Sequence, residues 1–447
     1  MNKKLLLATL VSALGGFLFG FDTVVISGTN EFLQQHFELG PLSLGVTVSI
    51  ALWGTVIGSL AIGKPGDRYG RRSMLFLCAL LFLGSAAGCA LAPTWPLLLG
   101  FRFLGGIGIG ATSVMSPLYI AEISPARLRG RLVAVAQFNI VLGIVVAFFS
   151  NYLVAGHFGA ETIGVNWRWM LGVMIVPSAL FFLLLFLVPE SPRWLVKHGL
   201  VDRAEKVLEM IGSSDVRGEL SAIAESVRRK SGDGETSLFQ RKYGYAILCA
   251  VLLAGFNQLT GINAILYYAP TIFREAGASI DLAMLQALSV GATNMLFTVI
   301  AMFFIDKLGR KTLLLVGAVG MFLSLLGAGV HGLVGFPRGT GMVFFVIGFI
   351  AFFAFSQGAV IWVFLAEIFP NKVRARGQAL GSFVHWIMNA IIGLVFPVAF
   401  SAFGIGPIFL FFALMMIPFF LFVWRMMPET KGISLEELEK KIVHGGV

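Results

Sequence analysis

The chain has 447 residues, of which 57% are hydrophobic and only 13% are charged. Soluble domains carry roughly 25% charged residues, so this composition excludes a soluble protein and predicts an integral membrane protein. The formal net charge of +10 would also suit a nucleic-acid partner, and the positions of the charges decide between the two interpretations.

Twelve apolar stretches are long enough to cross a membrane as helices. The sequence therefore predicts an all-α membrane protein. The predicted spans are residues 5–28, 44–63, 73–92, 96–118, 131–155, 168–188, 244–271, 283–305, 312–333, 341–365, 377–402 and 406–427.

Basic residues lie almost entirely on one side of these spans. With both termini in the cytoplasm, 29 of the 33 Lys and Arg residues fall in the termini and the cytoplasmic connections. This is the distribution of the positive-inside rule, so the charge sets topology and nucleic acid is not an expected partner. The chain contains no Asn-x-Ser/Thr sequon, which is compatible with a bacterial inner membrane.

Asp22 is the only charged residue in the first apolar run, residues 5–30. A carboxylate inside a membrane helix costs on the order of 3 kcal/mol, and folding does not require it. Intramembrane acids usually mark transport pathways, so we interpret Asp22 as a proton-coupling or ion-coupling site. The structural alternative is an acid permanently paired with one buried base.

Arg102 in the fourth span is the only Lys or Arg that lies well inside a predicted span rather than at its end, which makes it the natural partner of Asp22. Burial raises the pKa of a carboxyl group, whereas a nearby Arg lowers it. Making and breaking the contact between Asp22 and Arg102 would therefore change the proton affinity of Asp22.

An internal repeat divides the chain. Residues 67–72 recur at 306–311, residues 121–125 recur at 366–370, and residues 189–191 recur at 428–430. Three motif pairs in the same order predict two halves of six helices each, an architecture typical of transporters. The predicted boundaries are an N-terminal six-helix bundle at 1–188, a cytoplasmic linker at 189–243, a C-terminal six-helix bundle at 244–427 and a cytoplasmic tail at 428–447.

The linker is the one long polar stretch. Residues 202–211 and 219–230 have apolar spacing typical of short amphipathic helices, and a partner-binding segment is the alternative to a solvated linker. Residues 433–442 of the tail show the same helical pattern. Cysteines are few and fall in apolar runs, so we expect neither disulfides nor a metal site.

The motifs together resemble those of the sugar porter family in the major facilitator superfamily, in particular its bacterial sugar:proton symporters. The resemblance covers nearly the whole chain. It rests on Gly63-x-x-x-Asp67-Arg-x-Gly70-Arg71-Arg72, Pro117-x-Tyr119-x-x-Glu122-x-x-Pro125, Arg129-Gly130, Pro189-Glu-Ser-Pro-Arg-Trp194, Gln258-Leu-Thr-Gly-Ile-Asn263, Glu367-x-x-Pro370 and Pro428-Glu-Thr-Lys-Gly432.

This resemblance implies proton-coupled uptake of a monosaccharide, hexose or pentose, by alternating access. Family members with an acid at the Asp22 position look like proton symporters, whereas facilitators commonly have a neutral residue. The resemblance also implies a cytoplasmic gate of charged residues that closes when the protein opens outward. The gate residues are Asp67, Arg71, Arg72, Glu122, Arg129, Asp306, Arg310, Glu367 and Arg374.

A sugar needs neutral hydrogen-bond donors and acceptors, and a single amide side chain supplies both. It also needs an aromatic face. For any single amide the alternative is a hydrogen bond that holds two membrane helices together. The predicted sugar-binding residues are Phe19, Gln137, Asn257, Gln258, Asn263, Asn294, Trp362, His385 and Asn389.

The chain departs from the family pattern in three places. Asn257-Gln258 replaces the usual Gln-Gln, Gly358-Ala359 replaces Gly-Pro, and His385 stands where Asn or Gln is common. These changes leave the identity of the sugar open, and His385 could add a second titrating group.

Other functions remain as alternatives. A passive sugar facilitator would use Asp22 only in a structural ion pair. A transporter-like sugar sensor usually carries a longer cytoplasmic tail, and the site of a drug–proton antiporter would be more apolar. We expect no enzyme activity, no cofactor and no metal, and we expect a monomer in the lipid bilayer whose partners are the sugar and protons.

Overall fold

A computed structural model gives the fold of the chain and describes residues 2–125, 127–159, 162–213, 215–232, 237–334, 341–370 and 372–431. These residues form α-helices and two short 3₁₀ segments, with no strand among them. Helices satisfy their own backbone hydrogen bonds, and this is what a chain in lipid requires.

The helices are numbered in chain order. They are α1 (Lys3–His36), α2 (Pro41–Ala61), α3 (Gly63–Tyr69), α4 (Arg71–Leu91), α5 (Trp95–Ile123), α6 (Arg129–Phe158), α7 (Ile163–Gly172), α8 (Ile175–Leu184), α9 (Pro192–Lys197), α10 (Val201–Ile211), α11 (Val216–Gly232), α12 (Gly244–Leu259), α13 (Ile262–Glu275), α14 (Ile280–Leu308), α15 (Arg310–Val334), α16 (Gly341–Phe355), α17 (Gln357–Glu367), α18 (Arg374–Phe403) and α19 (Ile405–Arg425).

Twelve helical stretches in the described part of the chain are long and apolar enough to cross a membrane. Each coincides with one of the twelve predicted spans, so the predicted all-α membrane fold is confirmed. Three of the stretches contain a break that the apolar pattern did not predict: α7 and α8 form one span, α12 and α13 another, and α16 and α17 a third.

The linker contains the two helices that its apolar spacing predicts. In α10, Ala204, Val207, Leu208 and Ile211 are buried at the i, i+3, i+4 and i+7 spacing of one helix face. Gly212 ends α10 with a φ of 81°, a conformation that glycine adopts readily. The predicted helix at 433–442 lies outside the described residues.

The chain divides into two compact units. The first comprises the described parts of Met1–Thr23, Trp53–Ala147 and Arg168–Glu235, and the second those of Val24–Leu52, Phe148–Trp167 and Thr236–Val447. The helices α1, α2, α6 and α7 each contain a boundary between the two units. In α1 the boundary falls directly after Asp22 and Thr23.

Glycines allow the backbones of the first unit to approach closely. A Cβ atom built on Gly54, Gly58 or Gly110 would collide with a backbone carbonyl oxygen across the contact between α2 and α5. The same holds for Gly20 and Gly143 between α1 and α6. Small residues at such contacts are typical of membrane helices, because packing rather than hydrophobicity drives their association.

The second unit joins the later part of α1 to helices from the C-terminal part of the chain. Asn30 Nδ2 donates to the Tyr267 carbonyl oxygen at 2.8 Å. Glu31 accepts two hydrogen bonds from the Arg274 guanidinium, at 3.2 and 3.3 Å. This unit is therefore built from both halves of the sequence repeat.

Candidate functional site

Asp22 and Arg102 form a buried ion pair in the first unit. Asp22 lies on α1 and is 4% exposed, and Arg102 lies on α5 and is 2% exposed. Arg102 Nη1 donates to Asp22 Oδ1 at 3.3 Å. Breaking such a pair by removing one partner is strongly destabilising, because the other charge stays buried.

The pair is incompletely hydrogen-bonded. Asp22 Oδ2 and Arg102 Nε have no hydrogen-bond partner among the described residues. A methyl group built at Gly105 would collide with Ser85 Oγ and come within 3.7 Å of Asp22 Oδ2, so glycine leaves room beside the carboxylate. One carboxylate oxygen thus faces Arg102, while the other is available to accept a proton.

A break between α12 and α13 positions the amides of the second unit. Gly261 has a φ of 83° and a Cβ there would collide with the Phe412 ring, so only glycine fits. Thr260 Oγ1 donates to the Asn257 carbonyl oxygen and accepts from the Ile262 N–H. The break thereby turns Asn257, Gln258 and Asn263 into one cluster.

Gln258 lies at the centre of this cluster and is fully buried. Gln258 Nε2 donates to Asn257 Oδ1 at 3.0 Å and lies 3.1 Å from His385 Nδ1. Gln258 Oε1 accepts from Asn263 Nδ2 at 2.7 Å. The Trp362 ring, from α17, lies 5.0 Å from the His385 ring and is 37% exposed, which leaves an aromatic face beside the amides.

Asn389 belongs to a neighbouring network. Its Oδ1 accepts from the Tyr267 hydroxyl at 3.0 Å, and the Tyr268 hydroxyl donates to the Gly393 carbonyl oxygen at 2.8 Å. The sequence analysis did not include these two tyrosines, although a Tyr pair next to Pro270 in a span was visible. Asn294 lies on α14 and is 7% exposed.

Two predicted sugar-binding residues, Phe19 and Gln137, belong to the first unit. Phe19 lies on α1 and Gln137 on α6, and both are half-buried. Their helices pack through Gly20 and Gly143. That they share one sugar site with the amides of the second unit stays a prediction.

The predicted gate residues of the first unit form a compact charge cluster. Arg71 donates to both carboxylate oxygens of Glu122, at 2.9 and 3.0 Å, and contacts Asp67 at 2.9 Å. Asp67 also contacts Lys197 at 3.1 Å. Bidentate pairs of this kind are among the stronger hydrogen-bonded ion pairs.

The second unit contains the matching cluster. Arg310 contacts Glu367 at 2.9 Å and Asp306 at 3.0 Å.

Three further predicted gate residues bind backbone carbonyl oxygens instead: Arg72 binds that of Leu185, Arg129 that of Ala121, and Arg374 that of Phe369.

Glu190 and Glu429 are cluster members that the sequence analysis did not assign to the gate. Glu190 Oε1 accepts from the backbone N–H groups of Arg71 and Arg72 at the start of α4. Glu429 accepts from those of Arg310 and Lys311 at the start of α15. Acids are favourable at helix N-termini, and the repeated Pro-Glu-Ser/Thr motifs were the signal for this role.

Charge and burial act in opposite directions on these carboxyl groups. Burial favours a higher pKa for Asp67, but the hydrogen bond from Lys197 and the charge of Arg71 outweigh it, so its pKa is lowered. Burial raises the pKa of Glu190, although the backbone N–H groups that bind its carboxylate act to lower it. Asp67 is therefore held ionised in its cluster at neutral pH.

Comparisons with known proteins identify the family of the chain. The family model described as "Sugar (and other) transporter" matches residues 8–442. The arabinose-proton symporter of Bacillus subtilis (strain 168) is 39% identical over 438 residues, 97% of this chain and 94% of the relative. The D-xylose-proton symporter of Escherichia coli (strain K12) is 38% identical over 468 residues, 96% of this chain and 94% of the relative.

A solved structure has the same fold. The inward-open conformation of the xylose transporter XylE from E. coli superimposes with a TM-score of 0.87 at 35% identity, covering 97% of this chain and 99% of that one. Twelve membrane helices and a repeated charge motif define a transporter of the major facilitator superfamily. The chain belongs to the sugar transporter family within it, as the motifs predicted.

Proposed function

We propose that the protein takes up a monosaccharide, hexose or pentose, together with protons, by alternating access. The observation that carries this proposal is the buried pair of Asp22 and Arg102, an acid and a base inside membrane-spanning helices. The two curated relatives, described as proton symporters of arabinose and of D-xylose, support both the proton and the sugar.

The chemistry of coupling follows from the charges. Protonation of Asp22 removes its negative charge and with it the attraction that holds Arg102. Arg102 must then find other partners, because an unpaired buried charge is costly. Proton binding and a rearrangement of α1 relative to α5 would therefore be linked, which is what a symporter requires.

Neutral amides suit the sugar. Asn257, Gln258 and Asn263 supply donors and acceptors, and the exposed face of Trp362 suits the C–H surface of a sugar ring. We propose that Phe19, Gln137, Asn294 and Asn389 also bind the sugar and that His385 supports the site through Gln258.

The two charge clusters fit a cytoplasmic gate. We place them in the cytoplasm together with both termini, in accordance with the positive-inside distribution. The protein would then be a multi-pass protein of the inner membrane, functioning as a monomer. Each cluster holds one Arg between two acids, so that the helix ends of each repeat are tied together.

The ion pair also favours a second candidate, a passive sugar facilitator in which Asp22 only braces Arg102. Both candidates use the same sugar site, and they differ in whether a proton gradient drives accumulation. The experiment must therefore separate accumulation from exchange.

The test uses purified protein in liposomes with D-xylose, L-arabinose and D-glucose, with and without an inward proton gradient. We expect gradient-driven accumulation by the wild type, and loss of accumulation with retained sugar exchange for Asp22→Asn. Asp281→Asn, which changes an exposed acid in the first turn of α14, is the matched control and should accumulate sugar normally. Equal gradient-independent equilibration by all three proteins would leave the passive facilitator.

A further inference from the structure

His385 is the one imidazole in the amide cluster of the second unit. It lies on α18 and is 8% exposed. Its ring is 5.0 Å from the Trp362 ring and 5.1 Å from the Trp386 ring, which it meets edge to face. The two indoles therefore restrict the orientation of the imidazole, whose polar edge meets Gln258.

The hydrogen bonds of Gln258 are directional. Its Nε2 donates to Asn257 Oδ1 at 3.0 Å and also lies 3.1 Å from Nδ1 and 3.3 Å from Nε2 of the His385 ring. Its Oε1 accepts from Asn263 Nδ2 at 2.7 Å. His385 is thus a hydrogen-bond acceptor here, a role that a neutral imidazole can fill.

This arrangement determines which polar groups of the neighbouring amides stay free. Asn257 has its Oδ1 bound to Gln258, and its Nδ2 has no hydrogen-bond partner among the described residues although the residue is only 2% exposed. Asn263 uses its Nδ2 on Gln258 and keeps its Oδ1 as an acceptor. If the Gln258 amide were reversed, Asn257 would be left with a free acceptor and Asn263 with a free donor.

We propose that His385 is a positioning residue, which fixes the Gln258 amide so that Asn257 presents a donor and Asn263 an acceptor to the sugar. The inference rests on the proposed sugar site and adds the hydrogen-bond polarity of that site. His385 acts through Gln258 rather than by its own hydrogen bond to the sugar. The substrate class that fits is a sugar whose neighbouring hydroxyl groups accept from Asn257 and donate to Asn263.

Two single variants test the acceptor. His385→Phe keeps a ring between the two indoles without an acceptor, whereas His385→Gln restores an acceptor without the ring. Equilibrium binding of D-xylose, L-arabinose and D-glucose is measured by calorimetry on the purified full-length protein. A lost hydrogen bond of about 1 kcal/mol predicts roughly 5- to 10-fold weaker binding for His385→Phe, with His385→Gln close to wild type.

The matched control is His331→Phe, an imidazole on α15 next to Phe345, which should bind sugar like the wild type. Thermal unfolding checks that each variant is folded, and His385→Leu serves as a second acceptor-free variant if His385→Phe unfolds. Unchanged binding by the acceptor-free variant, or equal loss in His385→Gln, overturns the proposal.

A double-mutant cycle separates positioning from direct sugar contact. Asn257 reaches His385 only through Gln258 in the hydrogen bonds described, so Asn257→Ala is the second substitution. A positioning role predicts that the double variant His385→Phe/Asn257→Ala binds little more weakly than the weaker single variant. Additive losses would mean that His385 contacts the sugar directly and would overturn the proposal. If the wild type binds none of the three sugars, the proposed function itself fails, which is a distinct result.

Discussion

Gln357 is a residue whose chemistry conflicts with its surroundings. It is 0% exposed, yet neither its Nε2 nor its Oε1 has a hydrogen-bond partner among the described residues. It begins α17 directly after Ser356, whose φ of −117° and ψ of −89° mark the break from α16. It shares a helix face with Ile361 and Phe364, both at most 1% exposed, since residues i, i+4 and i+7 lie together.

We predict that Gln357→Met stabilises the protein. A buried polar group without a partner costs about 1–3 kcal/mol, and methionine has a similar shape without that cost. The measurement is the midpoint of thermal unfolding in detergent. The matched control is Gln258→Met, which removes an amide bonded to three side chains and should lower the midpoint. A lower midpoint for both variants would mean that the Gln357 amide is hydrogen-bonded in the folded protein.

At this scale the sequence was most informative about charge. Asp22 and Arg102 could be paired because they are the only acid and the only Lys or Arg that lie well inside predicted spans, and the structure places them 3.3 Å apart. The coupling role of this pair stays a prediction. The sequence could not indicate which amide bonds to which, because orientation depends on the break at Gly261 and on His385 from a distant helix.

At the scale of single helices, glycines determine how closely the backbone of one helix approaches its neighbours. The helix α5 contains Gly105, Gly106, Gly108 and Gly110, and small residues of this kind let membrane helices approach closely. Gly110 faces the Thr55 carbonyl oxygen of α2, whereas Gly105 and Gly108 face side chains of α4. Gly100, on the same helix, has open space around it.

We predict that Gly110→Ala destabilises the protein and that Gly100→Ala does not. The methyl group at position 110 would meet backbone that cannot rotate away, so α2 and α5 must separate. Overpacking of this kind costs about 1–3 kcal/mol. Thermal unfolding and the yield of folded protein after extraction are the measurements. Equal midpoints for the two variants would contradict the packing between α2 and α5.

The apolar pattern predicted all twelve spans but not the breaks within them. Hydropathy reports length and lipid compatibility, and a span stays apolar whether its helix is continuous or interrupted. Thr260 and Gly261 were visible in the sequence, but a glycine in a membrane helix more often serves packing. Gly261 is required both by its positive φ and by the Phe412 ring of α19, which a Cβ would meet, and the second requirement is a contact that local sequence does not encode.

Across the whole molecule, the sequence repeat corresponds to a repeat of hydrogen bonds. Arg71 with Glu122 and Glu190 has its counterpart in Arg310 with Glu367 and Glu429. The motif pairs predicted two matching halves because the same residue types recur at nearly the same offset, but they did not assign Glu190 and Glu429 to the clusters. The division into compact units was less accessible, since three of its five boundaries fall inside α1, α2 and α6, where the apolar runs are continuous.

One feature at this scale joins the two halves of the sequence. Within the second unit, Asn30 and Glu31 of α1 bind Tyr267 and Arg274 of α13. The ion pair is about one-third exposed on each side, and exposed pairs contribute roughly 0–1 kcal/mol. Such a contact is readily broken, as alternating access would require where helices of the two halves meet and separate.

We predict that a covalent link between positions 31 and 274 stops uptake. The variant Glu31→Cys/Arg274→Cys is treated with a thiol-specific bifunctional reagent whose link is cleaved by dithiothreitol. Background reaction should be low, because the native Cys78, Cys89 and Cys249 are buried. Linked protein should lose nearly all sugar uptake in liposomes and regain it after cleavage, whereas each single cysteine variant should be unaffected by the reagent. Normal uptake by fully linked protein would show that these two segments stay together throughout transport, and the separation would then have to occur elsewhere along α1.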